Sequence, residues 1–362
     1  MGRGPGPAKH DLLGPKSLLR RLARRWRDPI IILPYLTYGT AQKLTVCGRV
    51  LEDEGFLPAA DADTRWRNLM RFYKRLESDE VPGARLRAGY LGVEEETVTD
   101  DEGYFRLEIA ARGRIGPGAW QDVEIELLEA TSIKATARVL VPSKRARFGV
   151  ISDIDDTIVS TQVANRLRMI LTVALSNART RKPFLGVAAF YRALHAGVNP
   201  FFYVSKSPWN LYAPLVEYLE VQGLPRGPLM LRDFGFRSHK EHKRKAIESI
   251  LGTYPKLKFI LIGDSGEEDP EIYSAIVHRF PERIRAIYIR SVSAKRVGEI
   301  EKLAAEVAKT GCQLVLSAEA EPAAAHAAAE GLIQASELRA VRAEKDSEMS
   351  SSKPAVSSGA LK

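Results

Sequence analysis

Val150-Ile151-Ser152-Asp153-Ile154-Asp155-Asp156-Thr157 is the stretch on which the reading of this chain turns. Phe148, Val150 and Ile151 form a short apolar run, which reads as a buried strand. It ends abruptly in carboxylates: Asp153 and Asp155 are two apart, and Thr157 is two further on. A strand that gives way to a tight acidic loop puts charge at the carboxyl edge of a parallel sheet, where open α/β folds bind their ligands. Gathering negative charge there is costly without a counter-charge, so a divalent cation is the natural companion. A carboxylate can also attack phosphorus, and a second one nearby can move protons. An ordinary acidic turn between a strand and a helix would account for the same residues taken alone. The ordered series of Ser205, Lys243 and Gly263-Asp264 further along the chain favours chemistry.

From Arg147 onward, strands alternate with helices. Strands are predicted at 148–151, 200–204, 229–231, 259–262, 286–289 and 313–316, with helices near 187–195, 209–221, 240–251, 270–280 and 294–309. This alternation predicts an α/β fold with a parallel sheet covered on both faces. The first crossover is long, and 165–177 within it reads as a helix folded over the site. Residues 321–344 read as helical, and the Ser-rich stretch from Asp346 as a disordered tail.

The preceding region, from Ile30 to Lys144, has the texture of a small β-sandwich. Leu44, Val46 and Val50 alternate, as do Phe105, Leu107 and Ile109, then Val123, Ile125 and Leu127. Arg85 to Val93 reads as a further strand, and Asp100-Asp101-Glu102-Gly103 as a tight turn. Residues 61–77 read as an inserted helix. The expected division is a basic N-terminal segment (1–29), a β-sandwich-like accessory domain (30–146), a catalytic domain (147–338) and a helix end with tail (339–362).

Composition narrows the class of protein. Over 362 residues, 45% hydrophobic content is enough for folded cores, and a formal net charge of +9 favours anionic partners. The basic helix expected at 17–28 carries Leu18, Leu19, Leu22 and Trp26 on one face and five arginines elsewhere, which suits an anionic membrane surface. Docking on the protein's own surface suits it equally. The lack of an aromatic-rich basic pattern argues against nucleic acid. The 2 Cys, Cys47 and Cys312, are expected as reduced thiols, and the 6 His form no zinc pattern. No apolar run is long enough to span a bilayer and no secretory signal is evident, so the default location is cytoplasmic, with peripheral membrane contact open.

Candidate site residues lie at or near the predicted strand ends. Ser205, after the second strand, can offer its hydroxyl to a bound anion, although an ordinary helix N-cap explains it as well. Lys243 can neutralise phosphoryl oxygens; Lys240 and Lys245 compete for that role, and a solvated basic face is the plain alternative. Gly263 and Gly266 permit a tight loop in which Asp264 and Asp269 add hard oxygen ligands, though acids at a helix N-terminus are common. Asp153, Asp264, a backbone carbonyl and water would make a typical Mg²⁺ shell.

Taken together, D-x-D-x-T at 153–157, a strand ending in Ser205, Lys243, and Gly263-Asp264 with Asp269 resemble the motif series of haloacid-dehalogenase-like phosphohydrolases. More narrowly, Ser207-Pro208-Trp209-Asn210-Leu211, His242-Lys243 and the run from Ile262 to Tyr273 resemble the catalytic domain of the actin-patch phosphatidate phosphatases and their bacterial relatives. The resemblance spans roughly 147–331 and implies a Rossmann-like sheet. It implies that Asp153 forms an aspartyl-phosphate, that Asp155 is the general acid and base, and that Thr157 holds the loop. It implies that Ser205 and Lys243 bind phosphoryl oxygens, and that Asp153, Asp155 through its carbonyl, Asp264 and Asp269 hold Mg²⁺. The implied substrate is phosphatidate. A soluble phosphatase, or a membrane-binding module with a vestigial site, are the alternatives. The cytoskeletal association of the fungal relatives is not expected, because the corresponding Pro-rich motifs are missing.

Overall fold

The computed structural model describes residues 30–52, 80–116, 118–154, 186–232, 239–292 and 294–350. The helices expected at 17–28, 61–77 and 165–177 lie outside these residues, as do Asp155, Asp156 and Thr157.

The first part of the chain is built from β1 (Ile30–Pro34), β2 (Thr37–Tyr38), β3 (Lys43–Glu52), β4 (Arg85–Tyr90), β5 (Val93–Val98), β6 (Tyr104–Ala110), β7 (Trp120–Leu127) and β8 (Ala130–Leu140). They form a three-stranded sheet in the order β1-β3-β6 and a five-stranded sheet in the order β2-β8-β7-β4-β5. Pairing is antiparallel except for β2, which runs parallel to β8. Burial alternates along β3, β4, β6 and β7, as a pleated ribbon with one inner face requires. Leu44, Val46 and Ile109 of the smaller sheet share one core with Leu86, Ile125 and Val139 of the larger. The alternation predicts one strand across Arg85–Val93, but the structure has a hairpin there. Leu91 and Gly92 both take positive φ (47° and 79°), the two-residue turn whose twist matches the flanking strands.

The second part holds β9 (Gly149–Asp153), β10 (Phe201–Pro208), β11 (Leu229–Arg232), β12 (Phe259–Asp264), β13 (Ile284–Arg290) and β14 (Gln313–Ser317). All neighbours in this six-stranded sheet are parallel, in the order β11-β10-β9-β12-β13-β14. The helices are α1 (Val187–His195), α2 (Tyr212–Val221), α3 (His239–Thr253), α4 (Asp269–Arg279), α5 (Val297–Ala308), α6 (Ala320–Ala329) and α7 (Ala335–Ser350). Alternate strand residues face alternate helix layers. Val150, Tyr203, Ile260 and Tyr288 join α1, α2, α6 and α7, whereas Ile151, Phe202, Leu261 and Ile287 join α3, α4 and α5. This is why the sheet residues are apolar on both faces. The chain winds outward from β9 in one direction through β10 and β11, then in the other through β12, β13 and β14. Adjacent β9 and β12 therefore form the switch point, where such sheets leave a crevice at their carboxyl ends.

Three local readings need correction. The second strand does not stop before Ser205 but runs to Pro208, with its register against β11 broken between Val204 and Pro208. Pro208 precedes a single 3₁₀ turn (Trp209–Leu211) rather than opening the α-helix, which starts at Tyr212. The Ser-rich stretch from Asp346 continues α7 to Ser350; Val341 of that helix is buried, and Glu344 accepts from the Ala189 N–H at 3.0 Å.

The two parts meet through aromatic packing. The Tyr35 ring stacks on Trp209 at 4.8 Å between centroids, and the Tyr254 hydroxyl donates to the Gly39 carbonyl at 2.9 Å. No helix among the described residues is long and apolar enough to cross a membrane. Cys47 and Cys312 remain thiols rather than forming a disulfide. Tyr254→Phe is predicted to cost about 1 kcal/mol, one hydrogen bond across the seam. Phe259→Ala, which empties a fully buried position in β12, is predicted to cost about 3–5 kcal/mol. Urea unfolding midpoints check both.

Candidate active site

The apolar run of β9 ends at Asp153 because the next sheet position lies at the crevice. A relay fixes the backbone there. Ser152, fully buried, donates its hydroxyl to the Asp153 carbonyl at 2.9 Å. Its one proton is thereby used, so the Tyr191 hydroxyl, 2.7 Å away, donates to it. Burial pushes the Tyr191 phenol up to about 12, with the nearby Asp153 carboxylate adding to the rise, so it stays a donor across the physiological range.

Beside β9, β12 ends in Gly263-Asp264. Asp264 Oδ1 accepts the backbone N–H groups of Gly266 (2.6 Å) and Glu267 (3.3 Å), a local turn that short acidic side chains favour. Arg296 clamps the same loop by donating to the carbonyls of Ser265 and Glu267 and pairing with Glu271. The loop closes on Asp269, the first residue of α4, whose next residue Pro270 suits a helix start. Asp269 Oδ2 lies 2.2 Å from where a Cβ on Gly263 would sit, so only glycine leaves room for this carboxylate.

Lys243, in the second turn of α3, reaches into this cluster. Its ammonium donates to Asp153 Oδ1 at 2.8 Å and Asp269 Oδ1 at 2.5 Å, with Glu267 Oε2 at 3.5 Å. The side chains of Lys243, Asp153 and Asp269 are only 6%, 3% and 0% exposed. Lys240 instead pairs with exposed Glu268, and Lys245 with Glu241 one turn before it on the outer face of the helix. Among the described residues, Lys243 is the candidate lysine that meets Asp153 and Asp269.

Asp153, Asp264 and Asp269 each offer an oxygen, and these atoms all lie within 4.8 Å of one another. Within the ion-paired cluster of described residues, Asp153, Asp264, Glu267 and Asp269 formally bring four negative charges, while Lys243 and its neighbour Lys206, paired with Glu267, bring two positive ones. The excess of two negative charges in a buried, all-oxygen donor set fits a hard divalent cation. Asp269 is fully buried. Burial, reinforced by the Asp153 carboxylate, pushes it well above the usual carboxylate range despite the opposing Lys243.

Ser205 follows Val204, the residue in register with Asp153, and is fully buried. Its Oγ accepts the Ser207 N–H at 2.9 Å, so it also shapes the turn at the end of β10. Asp155 and Thr157 lie outside the described residues. The sequence reading misses Glu267, Lys206 and the Ser152–Tyr191 relay. Glu267 sits between acids in the loop after β12, but nothing in Gly266-Glu267-Glu268-Asp269 shows that Glu267 turns inward while Glu268 faces solvent.

A cavity of about 90 Å³ lies beside Asp153 and Asp264. Phe190, Tyr191, Tyr218 and Tyr288 are among its walls, and Arg290 and Ser317, at the ends of β13 and β14, also line it.

Residues 148–291 match the family model described as the catalytic domain of phosphatidate phosphatase APP1. Phosphatidate phosphatase APP1 of Saccharomyces cerevisiae is 39% identical over 155 residues, which cover 40% of this chain and 26% of that protein. An uncharacterized protein of Schizosaccharomyces pombe is 30% identical over 218 residues, covering 56% of this chain and 36% of that one. The chain thus spans between a quarter and two-fifths of the length of these relatives. Among solved structures, a HAD family hydrolase from Deinococcus radiodurans with bound phosphate and sodium is similar at 20% identity and a TM-score of 0.29, over 52% of this chain and 99% of that one.

The burial of Asp269 predicts a pH signature. Between the ordinary carboxylate pKa and its own raised value, Asp269 binds a proton in the folded state that the unfolded chain has released. Its contribution to stability is therefore present at low pH and lost as pH rises through the folded value. With a chelator present, urea midpoints are expected to carry this downward component from about pH 4 upward, and saturating Mg²⁺ is expected to remove it.

Proposed function

From the APP1-type catalytic domain that residues 148–291 form, we propose that this chain is a Mg²⁺-dependent phosphomonoesterase that converts phosphatidate to diacylglycerol and phosphate. The observation that carries the proposal is the Asp153 carboxylate. It lies at the switch point of a parallel sheet, bound by Lys243 at 2.8 Å, with Asp264 and Asp269 grouped beside it. We read the sheet as haloacid-dehalogenase-like, with 30–146 as accessory domain and 147–338 as catalytic domain.

In this reading Asp153 attacks the phosphorus. The bond from its carboxylate oxygen to phosphorus forms as the bond from phosphorus to the glycerol oxygen breaks, and Asp155 gives that oxygen its proton. Asp155 then takes a proton from water, whose oxygen attacks the phosphorus and releases Asp153. Thr157 holds the loop that carries Asp155. An ammonium within bonding distance of the nucleophile is placed to meet the oxygens transferred to it, which is the role given to Lys243; Ser205 shares it.

Mg²⁺ would be held by Asp153, the Asp155 carbonyl and Asp264, and when bound it supplies positive charge to the phosphoryl oxygens. Both oxygens of Asp269 already meet protein donors, Lys243 and the Asp264 N–H. Its part is therefore to orient those two groups, with cation contact through water. The basic segment 17–28 is proposed to hold the protein at an anionic bilayer.

The test is phosphate release from phosphatidate in mixed micelles, beside a panel of soluble phosphomonoesters. Wild-type protein is expected to act on phosphatidate only with Mg²⁺, and Asp153→Asn to lower the rate at least about a thousandfold while remaining folded. Release confined to soluble esters would discard the lipid substrate. Undiminished release by Asp153→Asn would discard the nucleophile.

A further inference from the structure

We infer that Arg290 is a substrate-positioning residue whose guanidinium binds the ester oxygens on the alcohol side of the phosphate. This deepens the phosphatidate reading and rests on it.

Arg290 is the last residue of β13 and is in register with Asp264 on one side and Ser317 on the other. It therefore stands at the same level of the carboxyl edge as the acidic cluster. Two strand spacings separate β13 from β9, about 10 Å at ordinary sheet geometry. An arginine side chain is long enough to cover more than half of that distance, and Arg290 lines the same cavity as Asp153 and Asp264. The charge is felt in the cavity: the Tyr191 hydroxyl on the wall lies in the opposing fields of Asp153 and Arg290.

The two cations serve opposite faces of the sheet. Lys243 comes from α3, in the layer with α4 and α5, and meets Asp153 and Asp269. The cavity with Arg290 lies in the other layer, against Phe190, Tyr191 and Tyr288. Phosphoryl oxygens bound at Asp153 are thus covered from the Lys243 side, which leaves the cavity side to the alcohol portion of the ester, whose oxygen departs from phosphorus and not from Asp153.

Size then decides which part of the alcohol sits there. A cavity of about 90 Å³ is smaller than the roughly 150 Å³ apolar cavity that holds one benzene. A long acyl chain does not fit, and its bulk must run outward. Nor does the whole glyceryl diester; what the cavity can admit is one ester group, its oxygens at the polar sheet edge, with the rest of the alcohol directed outward. A planar guanidinium with five donors can engage two such acceptors at once, which an ammonium cannot do with the same geometry.

Binding to the full chain carrying Asp153→Asn tests this without requiring turnover. The ligands are dihexanoyl phosphatidate and hexyl phosphate, titrated calorimetrically in Mg²⁺ below their micellar concentrations. The first carries ester carbonyls beside the phosphate and the second does not. The Asp153→Asn protein is expected to prefer the phosphatidate by about tenfold or more, the scale of charge-assisted hydrogen bonding. Adding Arg290→Met is expected to erase most of that preference and leave hexyl phosphate within about twofold. Arg290→Lys, which keeps the charge and guards against a misfolded methionine variant, is expected to lose several-fold of it.

Equal weakening of both ligands would place Arg290 on the phosphate or in the scaffold and overturn the assignment. An unchanged preference, or no preference at the outset, would also overturn it. Phosphate release by wild-type protein reads the parent proposal separately. If it is absent while the Arg290-dependent preference persists, the enzyme reading falls and the binding role stands.

Discussion

Three buried charges, Lys243 between Asp153 and Asp269, are the constraint on which the rest of the site depends. Ions taken out of water are stable only where partners and hydrogen bonds satisfy them, and removing one partner of such a set typically costs about 3–5 kcal/mol. The surrounding structure meets that requirement at each member. Asp269 Oδ2 takes the Asp264 N–H, Glu267 approaches Lys243 from the loop, and Lys206 pairs with Glu267. What is left is negative charge in excess, so the same packing that fixes the aspartates also creates demand for a cation.

The scaffold makes this arrangement tolerable by placing rigid elements behind every charged group. Asp153 and Asp264 end adjacent central strands whose residues are buried on both faces, Asp269 opens α4, and Lys243 lies on α3 of the same helix layer. Gly263 is the point of closest approach, where the absence of a Cβ admits the Asp269 carboxylate. The loop between them is not left loose: Arg296 holds its carbonyls, and Ser265 Oγ accepts the Val292 N–H at 2.9 Å. On the opposite face the Tyr191–Ser152 relay holds the backbone of Asp153. The positions of Asp153, Asp264, Asp269 and Lys243 are thus set by the scaffold itself, the preorganisation on which electrostatic catalysis would draw.

Much of this is legible in the sequence because burial leaves a period. Runs such as Phe148 to Ile151 and Phe259 to Ile262 are apolar on both faces and separated by helical patterns, which leaves a parallel sheet as the natural reading. Asp153 and Asp264 are legible because an apolar strand that stops in an acid needs a reason, and Asp269 because it follows in the short Gly-containing acidic loop after Asp264. What the sequence hides are choices made by tertiary packing. On α3, Lys240 and Lys243 lie on neighbouring faces, and only contact with β9 and α4 distinguishes them. Glu267 and Glu268 are adjacent in the chain, but one faces the cluster and the other solvent. Arg290 is an unremarkable end to a strand until the sheet order places it beside Asp264. The hairpin at Leu91-Gly92 is hidden for another reason: its first turn residue is a leucine at positive φ, which carries no turn signature.

The central claim is that Asp153 itself carries the phosphoryl group. The most direct test is to quench the protein in acid during turnover of phosphatidate, reduce it with borohydride and map the product by mass spectrometry. An acyl-phosphate at this position is reduced to an alcohol, so the account predicts homoserine at 153 and unmodified aspartate at 264 and 269. Reduction at another acid, or none at 153 under conditions where turnover is proceeding, would contradict it.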